Sequence, residues 1–330
     1  MKLPVSYSDV FNVNKHNFNE IALQIFRYQS QENEVYNSYL DLIKCDTTRV
    51  TTINDIPFLP IAFFKSHDVC SGNRIQARGK YFESSSTTGV NTSKHYLKDS
   101  TWYEQSYVSG FEKTYGSIKN WCIVALLPNY MDNPNSSLIS MVNGLIDLTN
   151  NEKSGFYLAD TNALSDVLIA NEQAGQKTML IGVSFALLDF NFKGLDRFEH
   201  LTILETGGMK GRRKEITRPE LHRQIAAVFN GALIHSEYGM TEMFSQAYLT
   251  KNLRFNSPPW MQVSTCETDD PFKRSMPGKT GLLNVIDLAN IETCSFIATS
   301  DIGKVYKDTS FEVLGRYDLS EQRGCNLLIA

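Results

Sequence analysis

A buried strand followed by two glycines is predicted by the stretch Leu201-Thr202-Ile203-Leu204-Glu205-Thr206-Gly207-Gly208-Met209-Lys210. Its first four residues form a short apolar run, as in a strand from the interior of a sheet. Gly207 and Gly208 lack a Cβ, so a ligand can approach the backbone closely where the strand ends. Open α/β sheets bind ligands at such carboxyl ends of strands. Taken alone, the pair is more typical of an ordinary turn, so the ligand-binding interpretation depends on the surrounding sequence.

The flanking sequence alternates between strand and helix patterns. Met179 to Val183 is a second apolar run of strand length. Asn162 to Ala174 has the pattern of a helix, and Gly175 follows at the position that helix C-termini favour. Pro219 suits the first turn of a helix that runs to Phe229, with Gly231 just past its end. This alternation predicts an α/β fold with largely parallel sheets flanked by helices.

The ends of the chain differ from this central pattern. Apolar residues at helical spacing predict helices between Phe18 and Ile43, and Asp99 is a suitable cap for a helix that runs to Tyr115. After about residue 250, short β-like runs are separated by glycine, proline and aspartate. A chain of 330 residues is long for one compact core. We therefore expect an α/β core with N-terminal helices over residues 1–250 and a small β-rich subdomain over residues 251–330.

Composition restricts the class of protein. The net charge of −4 argues against a basic face for nucleic acid, and no apolar run is long enough for a membrane span. The N-terminus lacks the apolar run and cleavage site of a signal peptide. The cysteines are scattered without a C-x-x-C pair, at Cys45, Cys70, Cys122, Cys266, Cys294 and Cys325. These features predict a cytoplasmic protein with reduced thiols.

A hydroxyl-rich segment, Ser84 to Lys94, follows the predicted strand Gly79 to Glu83 and reads SSSTTGVNTSK. Hydroxyl and backbone N–H groups donate to phosphate oxygens, while Lys94 supplies positive charge, so the segment suits a polyphosphate. The pattern is not the G-x-x-x-x-G-K-[ST] loop, so no P-loop NTPase is predicted. A polar surface turn is an equally good interpretation of this segment alone.

A second cluster, Ser236 to Met243, reads SEYGMTEM. It offers an aromatic face at Tyr238, a hydroxyl at Thr241 that can donate a hydrogen bond to phosphate, and a carboxylate at Glu242. Magnesium is usually held by one or two carboxylates together with substrate phosphates. By itself Glu242 is more often a solvated surface carboxylate. His235, just before this cluster, is either a general base or a hydrogen-bonded structural residue, and the same alternatives apply to His95.

These segments occur in an order that resembles a known superfamily. Two more follow them: Thr299-Ser300-Asp301-Ile302-Gly303 and Leu314-Gly315-Arg316-Tyr317-Asp318. Together they are similar to the motifs of the adenylate-forming enzymes, which include acyl-CoA synthetases, peptide-synthetase adenylation domains and luciferases. Ile56-Pro57-Phe58-Leu59-Pro60-Ile61-Ala62-Phe63-Phe64-Lys65 resembles the LuxE-type acyl-protein synthetases, which are relatives of phenylacetate-CoA ligase. The resemblance covers nearly the whole chain.

The resemblance implies roles for individual residues. Those that surround the ATP phosphates would be Ser85, Ser86, Thr87, Thr88, Gly89 and Lys94. Gly207 and Gly208 would lie against the adenine, and Tyr238 would pack by the adenine or the acyl site. Gly239 would also belong to the nucleotide site, and Asp301 would bond the ribose hydroxyls. Those with catalytic roles would be Lys94, Thr241, Glu242, Arg316 and Cys325, with Glu242 binding Mg²⁺. ATP and Mg²⁺ are the implied cofactors.

The chain also departs from the superfamily pattern. Ser86 and Ser300 stand where the family usually has glycine. Ala330 follows Asp318 by about a dozen residues, so we expect the mobile C-terminal domain of larger members, with its catalytic lysine, to be absent. In LuxE-type enzymes a cysteine near the C-terminus accepts the acyl group. Cys325 is the corresponding candidate here, and a buried structural cysteine is the alternative.

The implied reaction is attack of a carboxylate on the α-phosphate of ATP, followed by acyl transfer to a thiol. The acyl group could instead pass to coenzyme A or an acyl carrier protein, with an acyl reductase as a further partner. An acyltransferase that uses a ready-made thioester would need no ATP. A degenerate nucleotide-binding scaffold is the non-enzymatic alternative. The sequence leaves the identity of the acid open.

Overall fold

A computed structural model describes residues 3–72, 80–84, 92–128, 130–192, 194–207 and 216–317. The α-helices in these residues are α1 (Tyr7–Phe11), α2 (Phe18–Glu32), α3 (Glu34–Leu42), α4 (Phe63–Ser66), α5 (Ser100–Tyr115), α6 (Ser137–Thr149), α7 (Thr161–Gln173), α8 (Ser184–Asp189) and α9 (Arg218–Val228). The strands are β1 (Leu59–Pro60), β2 (Tyr81–Glu83), β3 (Lys94–Tyr96), β4 (Cys122–Leu126), β5 (Gly155–Phe156), β6 (Thr178–Val183), β7 (Leu201–Thr206), β8 (Leu233–Tyr238), β9 (Ala247–Lys251), β10 (Arg254–Asn256), β11 (Met261–Cys266), β12 (Thr280–Asp287), β13 (Phe296–Val305) and β14 (Phe311–Arg316).

The chain divides into two compact units. The first contains Met1–Gly72 and Pro259–Ala330, and the second contains Asn73–Pro258. The sequence-based division at residue 250 placed the N-terminal helices with the α/β core. That division into two domains remains a prediction.

The second unit is built around a largely parallel sheet, as the strand–helix alternation predicted. Its strand order is β10-β9-β8-β7-β6-β4-β5. The strands β5, β4, β6, β7 and β8 run parallel, while β9 and β10 form an antiparallel edge. Every residue of β4, β6 and β7 is buried. Helices α6, α7, α8 and α9 contact this sheet, so both the α/β fold class and the continuous apolar runs are explained.

Local sequence signals place the helices of this unit accurately. Asp99 caps α5, and its side chain accepts a hydrogen bond from the backbone N–H of Thr101. Thr217 caps α9 in the same way, with Pro219 in the first turn. A separate two-stranded hairpin, β2–β3, comes before α5.

The first unit combines N-terminal helices with C-terminal strands. Strands β11, β12, β13 and β14 form an antiparallel sheet, and β1 pairs in parallel with β13. Gln29 on α2 is fully buried and donates to the carbonyls of Asn290 and Ile291 at 3.0 and 3.1 Å. It also accepts from the N–H of Ser295 at 2.9 Å. Among the helices of the described residues, none has the length and apolar character needed to cross a membrane.

Candidate active site

The carboxyl ends of β7 and β8 lie side by side because the two strands are parallel neighbours. Thr206 pairs with Glu237 in the register, and Gly207 and Tyr238 come next along the two strands. Gly207 has a φ of +75°, a backbone angle that residues with a Cβ rarely adopt. Gly208 lies outside the described residues. The structure thus brings the strand ends of two predicted ligand-binding segments together.

A buried ion pair ties the end of β7 to the start of α9. Glu205 Oε2 lies 2.9 Å from Arg218 Nη1, and the Glu205 side chain is only 2% exposed. The Ser184 hydroxyl lies 2.6 Å from both Glu205 Oε1 and the carbonyl oxygen of Gly207. Charge-assisted hydrogen bonds of this kind are about twice as strong as neutral ones. Glu205 therefore bonds directly to Arg218 and, through the Ser184 hydroxyl, is linked to Gly207. These two residues lie at the two ends of the segment that connects β7 to α9.

Glu237 is a second buried carboxyl group, one residue before the Tyr-Gly turn. Its Oε2 accepts a hydrogen bond from the Thr206 hydroxyl. Burial raises the pKa of Glu237 to about 7, the Thr206 hydrogen bond opposes this rise, and the nearby Glu205 adds to it. A Cβ on Gly239 would lie 2.2 Å from Glu237 Oε1, so glycine at this position leaves room for the carboxyl group. Glu237 consequently carries a proton through the acidic range and loses it near neutral pH.

The histidines of this region are neutral structural groups. His222 Nε2 lies 2.8 Å from the Ser236 hydroxyl, and burial together with the charge of Arg218 lowers its pKa to about 4. His235 stacks on Tyr115 at 5.7 Å, and its Nδ1 lies 3.3 Å from the tyrosine hydroxyl. Burial lowers the pKa of His235 to about 4 as well. This packing favours the structural role for His235 over that of a general base.

Lys94 is the first residue of β3 in the hairpin β2–β3. In its register Glu83 pairs with Lys94 and Phe82 with His95. Lys94 Nζ lies 5.0 Å from the centre of the Tyr81 ring, within the range of a cation–π contact. His95, the next residue, points to the opposite face and is fully buried. The residues predicted to surround the phosphates within this hairpin lie outside the described residues, namely Ser85, Ser86, Thr87, Thr88 and Gly89.

The turn after β8 contains Thr241 and Glu242. Its backbone is closed by a hydrogen bond of 3.1 Å from the N–H of Met243 to the carbonyl of Met240. The carbonyl of Thr241 lies 2.8 Å from His95 Nδ1. Glu242 is 6% exposed, which differs from the solvated carboxylate that the sequence alone favoured. The hairpin with Lys94 and the turn with Glu242 are thus directly bonded to each other.

Asp301 and Arg316 come together in the first unit. They are register partners on β13 and β14, and Arg316 Nε lies 3.3 Å from Asp301 Oδ1. The Arg316 side chain is 78% exposed, whereas that of Asp301 is 10% exposed. The N–H of Asp301 donates to the Thr299 hydroxyl at 3.1 Å, which fixes the strand around it. Cys325 lies outside the described residues.

A cavity of about 450 Å³ opens in the second unit beside the hairpin. Its lining includes Tyr81 and Phe82 of the hairpin, Tyr107 of α5, and Asn143 and Gly144 of α6. A Cβ on Gly144 would lie 2.1 Å from the Tyr107 hydroxyl oxygen, so α5 and α6 approach closely only because this residue is glycine. This cavity was not predicted from the sequence.

Sequence reasoning missed the buried supports of the predicted segments. Glu205 and Glu237 were quoted only as members of two motifs, and Ser184 and Arg218 were not singled out. One signal was available: each glutamate comes two residues before a glycine, near the end of a strand. Such a carboxyl group is placed at a ligand-binding edge of the sheet.

Comparisons with known proteins agree with this arrangement. The family model of the acyl-protein synthetase LuxE matches residues 3–330. Among curated proteins, no sequence matches the chain significantly. A 2-hydroxyisobutyryl-CoA ligase in an open conformation, in complex with 2-HIB-AMP and CoA, shares 11% identity and has a TM-score of 0.67. That match covers 96% of this chain and 75% of the ligase.

Two further solved structures share part of the fold. ATP-bound MatB from Rhodopseudomonas palustris has 15% identity and a TM-score of 0.54, over 72% of this chain and 47% of MatB. The amide bond synthetase McbA from Marinactinospora thermotolerans has 16% identity and a TM-score of 0.50, over 72% of this chain and 48% of McbA. The chain thus spans about half the length of these two enzymes, and at such identities the likeness concerns the fold alone. The family match over nearly its whole length shows that the chain belongs to an enzyme family, the LuxE acyl-protein synthetases.

Proposed function

We propose that this protein activates a carboxylic acid with ATP to form an acyl-adenylate and then transfers the acyl group to a thiol. The observation that carries the proposal is the bond between the hairpin with Lys94 and the turn with Thr241 and Glu242. This bond connects the strand of the cation Lys94 to the turn that carries the Thr241 hydroxyl and the Glu242 carboxylate. A cation, a hydrogen-bond donor and a carboxylate are the groups that bind a magnesium–polyphosphate complex. The ends of β7 and β8 supply the adjoining edge of the sheet, where α/β proteins bind ligands.

The structural relatives support the same chemistry. The 2-hydroxyisobutyryl-CoA ligase structure contains 2-HIB-AMP, and the MatB structure contains ATP. The ligase match extends over 96% of this chain. We propose a carboxylic acid, fatty or related, as the substrate class.

The residues present fit a bound magnesium ion. Within the described residues, no group of three or more histidine, cysteine, aspartate or glutamate side chains could hold a metal by itself. Magnesium needs no such group, because one or two carboxylates and the substrate phosphates usually hold it. Glu242 would provide that carboxylate. When bound, the ion would neutralise charge on the phosphates of ATP.

Four residues of the chain have assigned parts in the proposed activation step. A carboxylate oxygen of the acid bonds to the α-phosphorus, and the bond between the α-phosphorus and the bridging oxygen breaks, so pyrophosphate leaves. Lys94 and the Thr241 hydroxyl stabilise negative charge on the phosphates. Asp301 would accept hydrogen bonds from the ribose hydroxyls, and Arg316 beside it would assist the ribose or the phosphates. Positioning of the reactants supplies much of the acceleration.

Cys325 is our proposed acyl acceptor. Burial raises the pKa of the thiols of Cys45, Cys122, Cys266 and Cys294, so these cysteines are poor nucleophiles at neutral pH. Transfer from the adenylate to a thiolate forms a thioester and releases AMP. Coenzyme A or an acyl carrier protein, acting in the cytoplasm together with an acyl reductase, is the alternative destination.

Pyrophosphate release tests the activation step. The protein is incubated with ATP, Mg²⁺ and a panel of fatty, aryl and hydroxy acids, and pyrophosphate is measured by a coupled assay. We expect release that depends on one class of acid, that EDTA abolishes, and that falls at least 100-fold in Lys94→Ala and Glu242→Gln. The exposed residues Lys113 and Glu152 provide matched controls as Lys113→Ala and Glu152→Gln. Acid-independent release, or full activity without ATP, would contradict the proposal.

Radiolabelled acid tests the transfer step. With ATP present, we expect a label on the protein that hydroxylamine removes, as a thioester requires. Cys325→Ser should lose the label while Cys45→Ser keeps it. If Cys325→Ser keeps its label, or if the label appears on added coenzyme A or carrier protein without passing through the chain, the acceptor is not Cys325.

A further inference from the structure

His95 connects two segments that are far apart in sequence. It lies on β3 next to Lys94, and its ring stacks on Phe244 with centres 4.4 Å apart and planes 12° apart. Its Nδ1 lies 2.8 Å from the carbonyl oxygen of Thr241, 146 residues away in the sequence. The side chain is fully buried, so both contacts are shielded from water.

The geometry defines the state of the histidine ring. A carbonyl oxygen can only accept a hydrogen bond, so Nδ1 carries the hydrogen that bonds to Thr241. Burial lowers the pKa of His95 to about 4, although the bond to Thr241 opposes this shift. The ring is therefore neutral at physiological pH and acts as a fixed donor, not as an acid or a base.

The bonded carbonyl belongs to the residue immediately before Glu242. Movement of this carbonyl rotates the peptide that joins Thr241 to Glu242, so it changes where the Glu242 carboxylate lies. On the other side, His95 and Lys94 share one short strand, so the position of the imidazole is tied to that of the lysine. His95 thus couples a cation on the hairpin to a carboxylate on the turn.

We propose that His95 is a positioning residue that holds the turn of Thr241 and Glu242 at a fixed place relative to the hairpin of Lys94, and thereby favours binding of ATP as its magnesium complex. This inference rests on the proposed function, because it assigns Glu242 to magnesium and Lys94 to phosphate. His95 itself touches neither ATP nor the metal. Its contribution comes from keeping two groups ready for one ligand, which lowers the cost of ordering them on binding.

Two substitutions separate the contacts of His95. His95→Phe keeps a flat ring to stack on Phe244 but removes the donor to Thr241. His95→Asn places an amide N–H at the same number of bonds from the backbone as Nδ1 but removes the ring. ATP affinity of the full chain is measured by calorimetry with excess Mg²⁺ and again with EDTA, and the melting temperature of each variant is recorded.

We expect His95→Phe to bind ATP about tenfold more weakly than the unaltered protein when Mg²⁺ is present, and less than threefold more weakly in EDTA. His95→Asn should recover most of the magnesium-dependent affinity, even if its melting temperature is the lower of the two. Equal losses with and without Mg²⁺, or an asparagine variant no better than phenylalanine, would mean that His95 serves only packing. If the unaltered protein binds ATP and His95→Phe binds it equally well, this inference fails and the proposed function stands. Failure of the unaltered protein to bind ATP would overturn both.

Discussion

Replacement of Glu237 by glutamine is expected to change how stability depends on pH. The Glu237 side chain is buried, and its pKa of about 7 lies above the ordinary value of 4.5. A group whose pKa is raised on folding binds its proton more tightly in the folded state. Its contribution to stability is therefore fully present below pH 4.5 and is lost as the pH rises through about 7.

The size of the effect follows from the shift. One pKa unit corresponds to about 1.4 kcal/mol, so a rise from 4.5 to about 7 corresponds to about 3 kcal/mol. Glutamine is neutral throughout, and its carbonyl oxygen can still accept the hydrogen bond of Thr206. We expect the free energy of unfolding of Glu237→Gln, relative to the unaltered protein, to increase by about 3 kcal/mol between pH 4.5 and pH 8.

Urea unfolding followed by tryptophan fluorescence measures this difference at several pH values. Other titrating groups are shared by the two proteins, so their effects cancel in the comparison. Thr206→Val is a second probe: it removes the hydrogen bond that lowers the pKa of Glu237, so the loss of stability should move to higher pH. The exposed Glu152→Gln controls for the change in net charge. Parallel stability profiles for Glu237→Gln and the unaltered protein would refute the reasoning.

Two packing predictions can be tested in the same assay. Gly144→Ala should destabilise the protein by about 1–3 kcal/mol because the new Cβ meets the Tyr107 hydroxyl at 2.1 Å. Adding Tyr107→Phe should recover part of this loss. An unchanged unfolding midpoint for Gly144→Ala would contradict the prediction. Gln29→Ala should cost about 3–5 kcal/mol, since it removes the buried hydrogen bonds to the carbonyls of Asn290 and Ile291 and to the N–H of Ser295. Gln24→Ala, on the same helix, should cost far less, and equal effects of the two substitutions would rule out the buried hydrogen bonds as the cause.

The sequence predicted the elements whose signals are local. The helix expected from Asn162 to Ala174 is α7, at Thr161–Gln173, and the one expected from Pro219 to Phe229 is α9, at Arg218–Val228. Cap residues, proline and glycine act through neighbours in the chain, so they can be recognised without the tertiary structure. The strand β3, Lys94-His95-Tyr96, was missed because it contains no apolar run and directly follows the hydroxyl-rich segment.

The association of the N-terminal helices with the C-terminal strands has no comparable signal. Gln29 bonds to Asn290 across 261 residues, and nothing in the sequence around either residue indicates this pairing. The raised pKa of Glu237 cannot be predicted from the local sequence either, because it depends on burial and on Thr206, which lies on a neighbouring strand. Motifs can therefore be found in a single sequence, whereas the contacts that hold them require the fold.

The candidate active site shows why these supporting contacts matter for function. Glu205 with Arg218, Thr206 with Glu237, and His95 with Thr241 each fix a segment that the family resemblance assigns to the nucleotide. All three contacts are hydrogen bonds between buried or partly buried groups, where loss of a partner is costly. A change at Glu205, Glu237 or His95 removes no group that touches ATP in the proposed function, yet it alters the geometry of those that do. Substitutions of these three residues should therefore affect ATP affinity and stability together, while substitution of Lys94 should affect catalysis with little loss of stability.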